Sequence, residues 1–190
     1  MTKPLFLFVG PSGSGKTTIV EELAKKYNYP TVESFTTRPR RYENETGHIF
    51  ISEEDFDNLN NIVAYTKYNN YRYCTTQEQL DLVLTYVVDI PGVETLLQNY
   101  KSDRTVIVFY FDSTVKTRID RMRSRNDDDV AILNRLYNDE AFDWYDKLDK
   151  IIWHYQHIEN KNVELFVINA NLDKDKVLDS VYTYMEEYIN

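Results

Sequence analysis

Gly10-Pro11-Ser12-Gly13-Ser14-Gly15-Lys16-Thr17 is the stretch that decides the fold. The chain has five glycines, and three of them stand in this octet. Glycine lets a backbone wrap closely around a bulky anion, because it lacks a Cβ and tolerates positive φ. Successive N–H groups of such a loop point inward at phosphate oxygens, and the positive end of the following helix adds to them. Lys16 reaches the β/γ-phosphates, and Thr17 offers a hydroxyl to a magnesium ion. The flanks agree. Leu5-Phe6-Leu7-Phe8-Val9 is an apolar run of strand length just before the loop. Thr18 to Tyr27 then carries Ile19, Val20, Leu23 and Ala24 at helical spacing, with charges between them. Gly10, Ser12, Gly13, Ser14, Gly15, Lys16, Thr17 and Thr18 are therefore read as the ATP-binding loop.

Outward from the loop, buried-strand candidates recur at Leu5–Val9, Thr85–Asp89, Thr105–Phe111 and Glu164–Ile168. Helical patterns lie between them at Lys16–Tyr27, Gly92–Tyr100, Ser113–Arg123, Val130–Tyr155 and Asp173–Tyr188. Strands alternating with helices predict an α/β fold, a three-layer P-loop core with a parallel sheet covered on both faces. Ligands then bind at the carboxyl ends of the strands. The Val130–Tyr155 pattern is read as one helix, with Leu133, Leu136, Ala141, Trp144, Leu148, Ile151 and Tyr155 forming a core-facing stripe. Thr31 to Thr75 reads differently, being rich in Thr, Tyr, Arg and Asn. Its short β-like pieces at His48–Ser52 and Ile62–Lys67, with a helix N-cap at Ser52-Glu53-Glu54-Asp55, predict a small β-rich insertion.

The chain has 190 residues, a hydrophobic content of 42% and a net charge of -9. The length suits one globular unit with inserted subdomains. The negative charge argues against nonspecific nucleic-acid binding, which requires a positive field. No apolar run approaches the ~20 residues that span a bilayer. Thr2-Lys3-Pro4 leads into the first strand without a signal-peptide pattern, and Cys74 is the only cysteine. These features predict a cytoplasmic protein with no membrane partner and no internal disulfide. Arginines cluster even so, at Arg38, Arg40 and Arg41 and again at Arg118, Arg121, Arg123 and Arg125. Arginine clusters beside a phosphate loop in an acidic chain point to small polyanionic substrates.

The second informative segment is Ser34-Phe35-Thr36-Thr37-Arg38-Pro39-Arg40-Arg41, followed by Gly47, Ile49-Phe50-Ile51-Ser52, Glu54 and Phe56. It resembles the guanylate kinase family, which shows a serine, then Thr-Thr-Arg-x-x-Arg, a glycine, a Tyr-x-Phe strand and a Ser-x-x-x-Phe helix start. The likeness extends over nearly the whole chain. Asn70-Tyr71-Arg72-Tyr73-Cys74-Thr75 is similar to the family's Asn-Tyr-Tyr-Gly-Thr/Ser. Val88-Asp89-Ile90-Pro91-Gly92 stands where the family has Ile-Asp-x-Gln-Gly. Arg121-Met122-Arg123-Ser124-Arg125 and Asn134-Arg135-Leu136 resemble the lid, and Val167-Ile168-Asn169-Ala170-Asn171-Leu172 resembles the Ile-Val-Asn-x-x-Leu strand end.

The resemblance implies a kinase that passes a phosphoryl group from ATP, with Mg2+, to a nucleoside monophosphate such as GMP or dGMP, acting as a monomer or homodimer. It implies a core at 1–33 and 76–190, a helical lid at about 122–140 within it, and an acceptor-binding subdomain at 34–75. Arg38 and Arg41 would hold the acceptor phosphate, with hydroxyls from Ser34 and Tyr73 and a contact from Thr75. Lys16, Arg38, Arg121, Arg125 and Arg135 would carry the catalysis, Thr17 the metal, and Asn169 would lie near the donor adenine. Asp89 has two readings, one facing the acceptor and one holding magnesium. Three positions depart from the family. The family's guanine-reading glutamate falls on Ala64 when counted back from Tyr73, its phosphate-binding tyrosine on His48, and a glycine on Cys74. A base pocket altered in this way leaves room for another nucleotide, or for a phosphosugar such as ribose 1,5-bisphosphate. A non-catalytic guanylate kinase-like binding module is the remaining alternative, although such modules typically lack the loop lysine that Lys16 supplies.

Overall fold

The computed structural model describes residues 3–140 and 144–189. The unbroken apolar run Leu5–Val9 forms strand β1, and all five residues are buried. Continuous runs of this kind suit a strand covered on both faces. β1 lies between β6 (Thr85–Val87) and β7 (Val106–Asp112), with β8 (Val163–Asn169) outside β7, and every pairing in this sheet is parallel. Alternate residues of β1 and β7 enter two different cores. Leu5, Leu7, Val9, Val106 and Val108 join residues of α4 (Ile90–Asn99) and α7 (Trp144–His157) on one face. Phe6, Phe8, Ile107, Phe109 and Phe111 join α1 (Lys16–Tyr27) and α8 (Lys174–Ile189) on the other. This is the period of two that a pleated strand imposes, and it yields the three layers. Phe6 and Phe109 stack with centroids 5.8 Å apart in the second core. Each phenylalanine buried there contributes roughly 1.5–3 kcal/mol.

A second sheet has the order β3-β2-β5-β4. β2 (Ser34–Thr36) runs parallel to β3 (His48–Phe50), while β5 (Tyr71–Thr76) pairs antiparallel with both β2 and β4 (Ile62–Tyr68). Asn69 and Asn70 turn the β4–β5 hairpin with φ of 49° and 65°. Asparagine tolerates this left-handed region, which a two-residue type I′ turn needs at both positions. Helix α2 (Glu53–Asp57) starts where its cap predicts: the Asp55 N–H donates to Ser52 Oγ at 3.0 Å. A further helix, α3 (Gln77–Asp81), opens on a capping box between Thr76 and Gln79. The small sheet is fixed to the core through β4 and α4, where Tyr65 N–H donates to Thr95 Oγ1 at 2.9 Å. Cys74, on β5, is buried and free, and burial pushes its thiol up to about 12.

Within the expected helix Val130–Tyr155 the described residues are helical as α6 (Asp129–Glu140) and α7, on either side of residues 141–143, which lie outside the described residues. The two helices serve different cores. Ile132 and Leu136 of α6 pack with Met122 of α5 (Val115–Ser124), whereas Leu148 and Ile152 of α7 join the main sheet. Leu133 is 65% exposed, so it leaves the predicted stripe, while Trp144, Ile151 and Tyr155 pack against the core. Ala141 lies outside the described residues. No helix among the described residues is long and apolar enough to cross a membrane.

Candidate functional site

Residues 10–15 bridge the end of β1 to the start of α1. Gly13 has φ of 78°, and a Cβ built there would lie 2.8 Å from the Arg118 carbonyl oxygen, so only glycine fits. Gly15 caps α1 with φ of 97°. The Lys16 ammonium turns back on the loop and donates to the carbonyls of Gly10 (2.6 Å) and Pro11 (2.9 Å) and to Ser14 Oγ (3.2 Å). Burial brings its pKa down to about 8, while the charge of Asp139 acts in the opposite direction. Thr17 and Thr18 are exposed on the first turn of α1.

A cavity of about 310 Å3 joins this loop to the small sheet. Gly10, Ser12 and Lys16 of the loop line it, with Ser34, His48 and Tyr73 of the small sheet and with Asp89 beyond the end of β6. Parallel pairing of β2 with β3 sets Ser34 beside His48, and their side chains share a hydrogen bond of 2.9 Å between Oγ and Nδ1. The His48 ring meets Tyr73 edge-on at 5.7 Å. Burial lowers the His48 pKa, which favours a neutral imidazole. Asp89 caps α4 by accepting from Gly92 N–H at 2.9 Å, and it also bonds to Thr66. Burial raises its pKa. Thr75 donates to the Tyr86 hydroxyl at 2.9 Å, deep in the same wall.

Ala64 stands apart from these residues. It pairs with Thr75, is 1% exposed and belongs to the main core. The β4 residues along the cavity are Tyr65, Thr66, Lys67 and Tyr68. Thr66, paired with Tyr73, is the one that bonds to Asp89. A bulge between Ile62 and Ala64 turns Ala64 into the core, and counting along the sequence alone misses it.

Arg38 and Arg41 are organised by Glu45, a residue the sequence reading did not single out. Arg38 is bidentate to Glu45, at 2.8 Å and 3.2 Å, and both side chains are buried. Its guanidinium lies 5.2 Å from the centre of the Phe50 ring, and its buried Nε has no partner. The Arg41 N–H donates to the same carboxylate at 2.7 Å, while its side chain is exposed. The Arg38 hydrogen bonds hold the Glu45 carboxyl down to about 2. The available signal was chemical: two arginine forks in a tight loop need an anion, and Glu43 and Glu45 were the nearest candidates.

The arginines expected in the lid divide in the same way. Arg121 donates to the Ser14 carbonyl at 2.9 Å and to the Leu172 carbonyl at 3.3 Å, against the phosphate loop. Arg125 and Arg135 both bind Asp127, at 3.1 Å and 2.7 Å, outside the cavity wall. A pair absent from the candidate residues sits closer. Arg118 and Asp139 form a buried ion pair of 2.7 Å, and Asp139 accepts the Ser12 N–H at 2.9 Å. Asn169 ends β8, with Oδ1 accepting the Asn171 N–H at 3.1 Å. For a metal, the described residues offer no group of three or more His, Cys, Asp or Glu. One exposed hydroxyl, that of Thr17, fits a magnesium ion held mainly by substrate phosphates and water.

Residues 5–144 match the family described as an AAA domain. Among curated proteins, the chain is 24% identical to the guanylate kinase of Mycoplasma genitalium, over 90% of this chain and 70% of that protein. It is 27% identical to the guanylate kinase of Bartonella henselae, over 94% and 79%. It is 28% identical to that of Thermotoga maritima, over 93% and 90%.

Proposed function

Because the chain belongs to the family described as an AAA domain and is similar to guanylate kinases along nearly its whole length, we propose that it transfers the γ-phosphoryl group of ATP to a nucleoside 5′-monophosphate. An oxygen of the acceptor phosphate forms a bond to γ-phosphorus, the bond to the β–γ bridging oxygen breaks, and ADP leaves. The single observation that carries this reading is one cavity lined both by the loop residues Gly10, Ser12 and Lys16 and by Ser34, His48 and Tyr73 of the small sheet, with Asp89 also along it. A donor and an acceptor bound in it are held close together, which is most of what phosphoryl transfer requires.

The roles follow from chemistry and position. Lys16 exchanges its loop carbonyls for phosphate oxygens, and Arg121 adds positive charge at the loop. Ser34, the neutral His48 and Tyr73 donate to the acceptor phosphate. Arg38, oriented by Glu45, and the exposed Arg41 supply its cations. Arg125 and Arg135 join the transferring group by releasing Asp127, and Asn169 flanks the donor adenine. Thr17 holds magnesium, which neutralises phosphate charge when bound. Residues 34–75 act as the acceptor subdomain and about 122–140 as the lid. The fit to Asp89 is on the acceptor side, since its carboxyl is tied to Thr66 and to the start of α4. With Thr66 it offers a carboxyl and a hydroxyl to a base edge, a GMP or dGMP site in altered form. A cytoplasmic monomer or homodimer completes the reading.

The test is ADP release coupled to each ribo- and deoxynucleoside monophosphate and to ribose 1,5-bisphosphate. Turnover is expected with at least one nucleotide. Turnover with the phosphosugar alone, or with no acceptor, would overturn the reading.

A further inference from the structure

The end of β8 carries an asparagine whose side-chain amide is held one way round. Asn169 is exposed and lies two strands from β1 in the order β1-β7-β8, at the carboxyl end of a parallel sheet, where ligands bind. Two strand spacings are roughly 10 Å. Arg121 joins the two places, since it donates both to the Ser14 carbonyl of the phosphate loop at 2.9 Å and to the Leu172 carbonyl at 3.3 Å. Beyond β8, the Thr114 N–H donates to Asn171 Oδ1 at 2.8 Å, and the Thr117 hydroxyl donates to the same oxygen at 3.1 Å. A backbone N–H can only donate, so Oδ1 and Nδ2 of Asn171 cannot trade places. Asn171 Nδ2 in turn donates to Asn169 Oδ1 at 3.1 Å. The Asn171 N–H donates to that oxygen as well, again at 3.1 Å. Both acceptor positions of the Asn169 oxygen are thus used within the chain, and its Nδ2 is turned away from Asn171.

An asparagine that selects adenine uses both ends of its amide, giving Nδ2 to N7 and taking the 6-amino group on Oδ1. With Oδ1 committed, only the N–H half of that reading remains. An N–H finds N7 on adenine and N7 or O6 on guanine. We propose that Asn171 makes the donor site a general purine site: by holding Asn169 Nδ2 outward, it lets ATP and GTP serve alike as phosphoryl donors. Asn171 is a positioning residue in this scheme, acting on the base only through Asn169. The inference rests on the reading of the loop as a donor-triphosphate site with Asn169 beside the base.

The experiment measures affinities for ATP and GTP, and kcat and KM for each as donor, in the wild type, Asn171→Asp and Asn169→Ala. Wild-type affinities for the two nucleotides should agree within about tenfold. Asn171→Asp sets an acceptor where Nδ2 stood, which favours the Asn169 amide with its Nδ2 inward and its Oδ1 toward a 6-amino group. The ATP-to-GTP affinity ratio should then rise about tenfold, through KM and with kcat unchanged. Asn169→Ala should weaken both nucleotides together. Purely structural roles for the two asparagines would leave the ratio fixed in Asn171→Asp and both affinities intact in Asn169→Ala, and either result would overturn the inference. A wild-type preference for ATP above about 100-fold would also overturn it, and this measurement stands alone should a variant fail to fold. If the wild type binds ATP but not GTP, this inference alone fails; if it binds neither, the ATP-site reading fails with it.

Discussion

On the proposed reading, the donor side of the cavity is a single loop, residues 10–17, whereas the acceptor side is built from side chains on strands of three to seven residues. The donor loop hangs from β1, which is buried on both faces, and its glycines adopt angles that other residues resist. Substitution has little freedom there. The acceptor wall instead relies on a chain of side-chain contacts: Glu45 on Arg38, Ser34 on His48, Thr66 on Asp89. Each link joins residues that folding brings together, so each is open to a test by substitution.

The largest effect expected on this contrast is structural. Glu45→Ala leaves the Arg38 guanidinium buried without its partner, and breaking a buried ion pair costs about 3–5 kcal/mol. Urea unfolding would read it; a loss under about 1 kcal/mol would mean that the acceptor loop relaxes freely. Next comes Lys16→Ala, expected to lower turnover by about 100-fold or more with every acceptor, as removal of a charge-stabilising donor does. Retention of a tenth of wild-type turnover would show that the loop carbonyls, not phosphate, are the main partners of this lysine. Arg38→Ala and Arg41→Ala follow, each weakening acceptor use by about 1.5–3 kcal/mol while sparing ATP affinity. Equal damage to both substrates would break the separation of the two sides.

Acid should act on the same link. The Glu45 carboxyl is held near 2 in the folded protein, below its ordinary 4.5. Its contribution to stability is therefore complete above about 4.5 and lost as pH falls toward 2. Glu45→Gln should flatten the stability profile in that window, and an unchanged profile would assign the acid response elsewhere. The smallest effect concerns the base. Thr66→Glu sets a second carboxylate beside Asp89 and should raise the preference for GMP over AMP about tenfold in kcat/KM. Ala64→Glu should mainly destabilise, since that side chain lies in the core. A gain in guanine preference from Ala64→Glu, without loss of stability, would restore the count-based register.

The donor side was readable because its requirements are local. An apolar run, a glycine octet and an amphipathic helix adjoin in sequence, and β1 and α1 fall on the predicted residues. The acceptor side and the lid depend on partners brought together by folding. Arg118 was legible only as one of a cluster of arginines, and its partner Asp139, 21 positions away, alone reads as an ordinary charge on a helix. Strand β5 escaped for a related reason, since its Tyr, Arg, Cys and Thr residues are stabilised by cross-strand neighbours, and α3, five residues long, is too short to show a helical period. The stripe expected across Val130–Tyr155 divides between two cores, because periodicity does not say which core each turn will face.

The burial of Cys74 has a practical consequence for following the lid. The chain's one thiol is enclosed and held in its protonated, unreactive form. A cysteine placed at Tyr137, 77% exposed on α6, would then be the sole position open to maleimide. One fluorophore or spin label there would report lid motion in real time without first stripping a native cysteine from the protein.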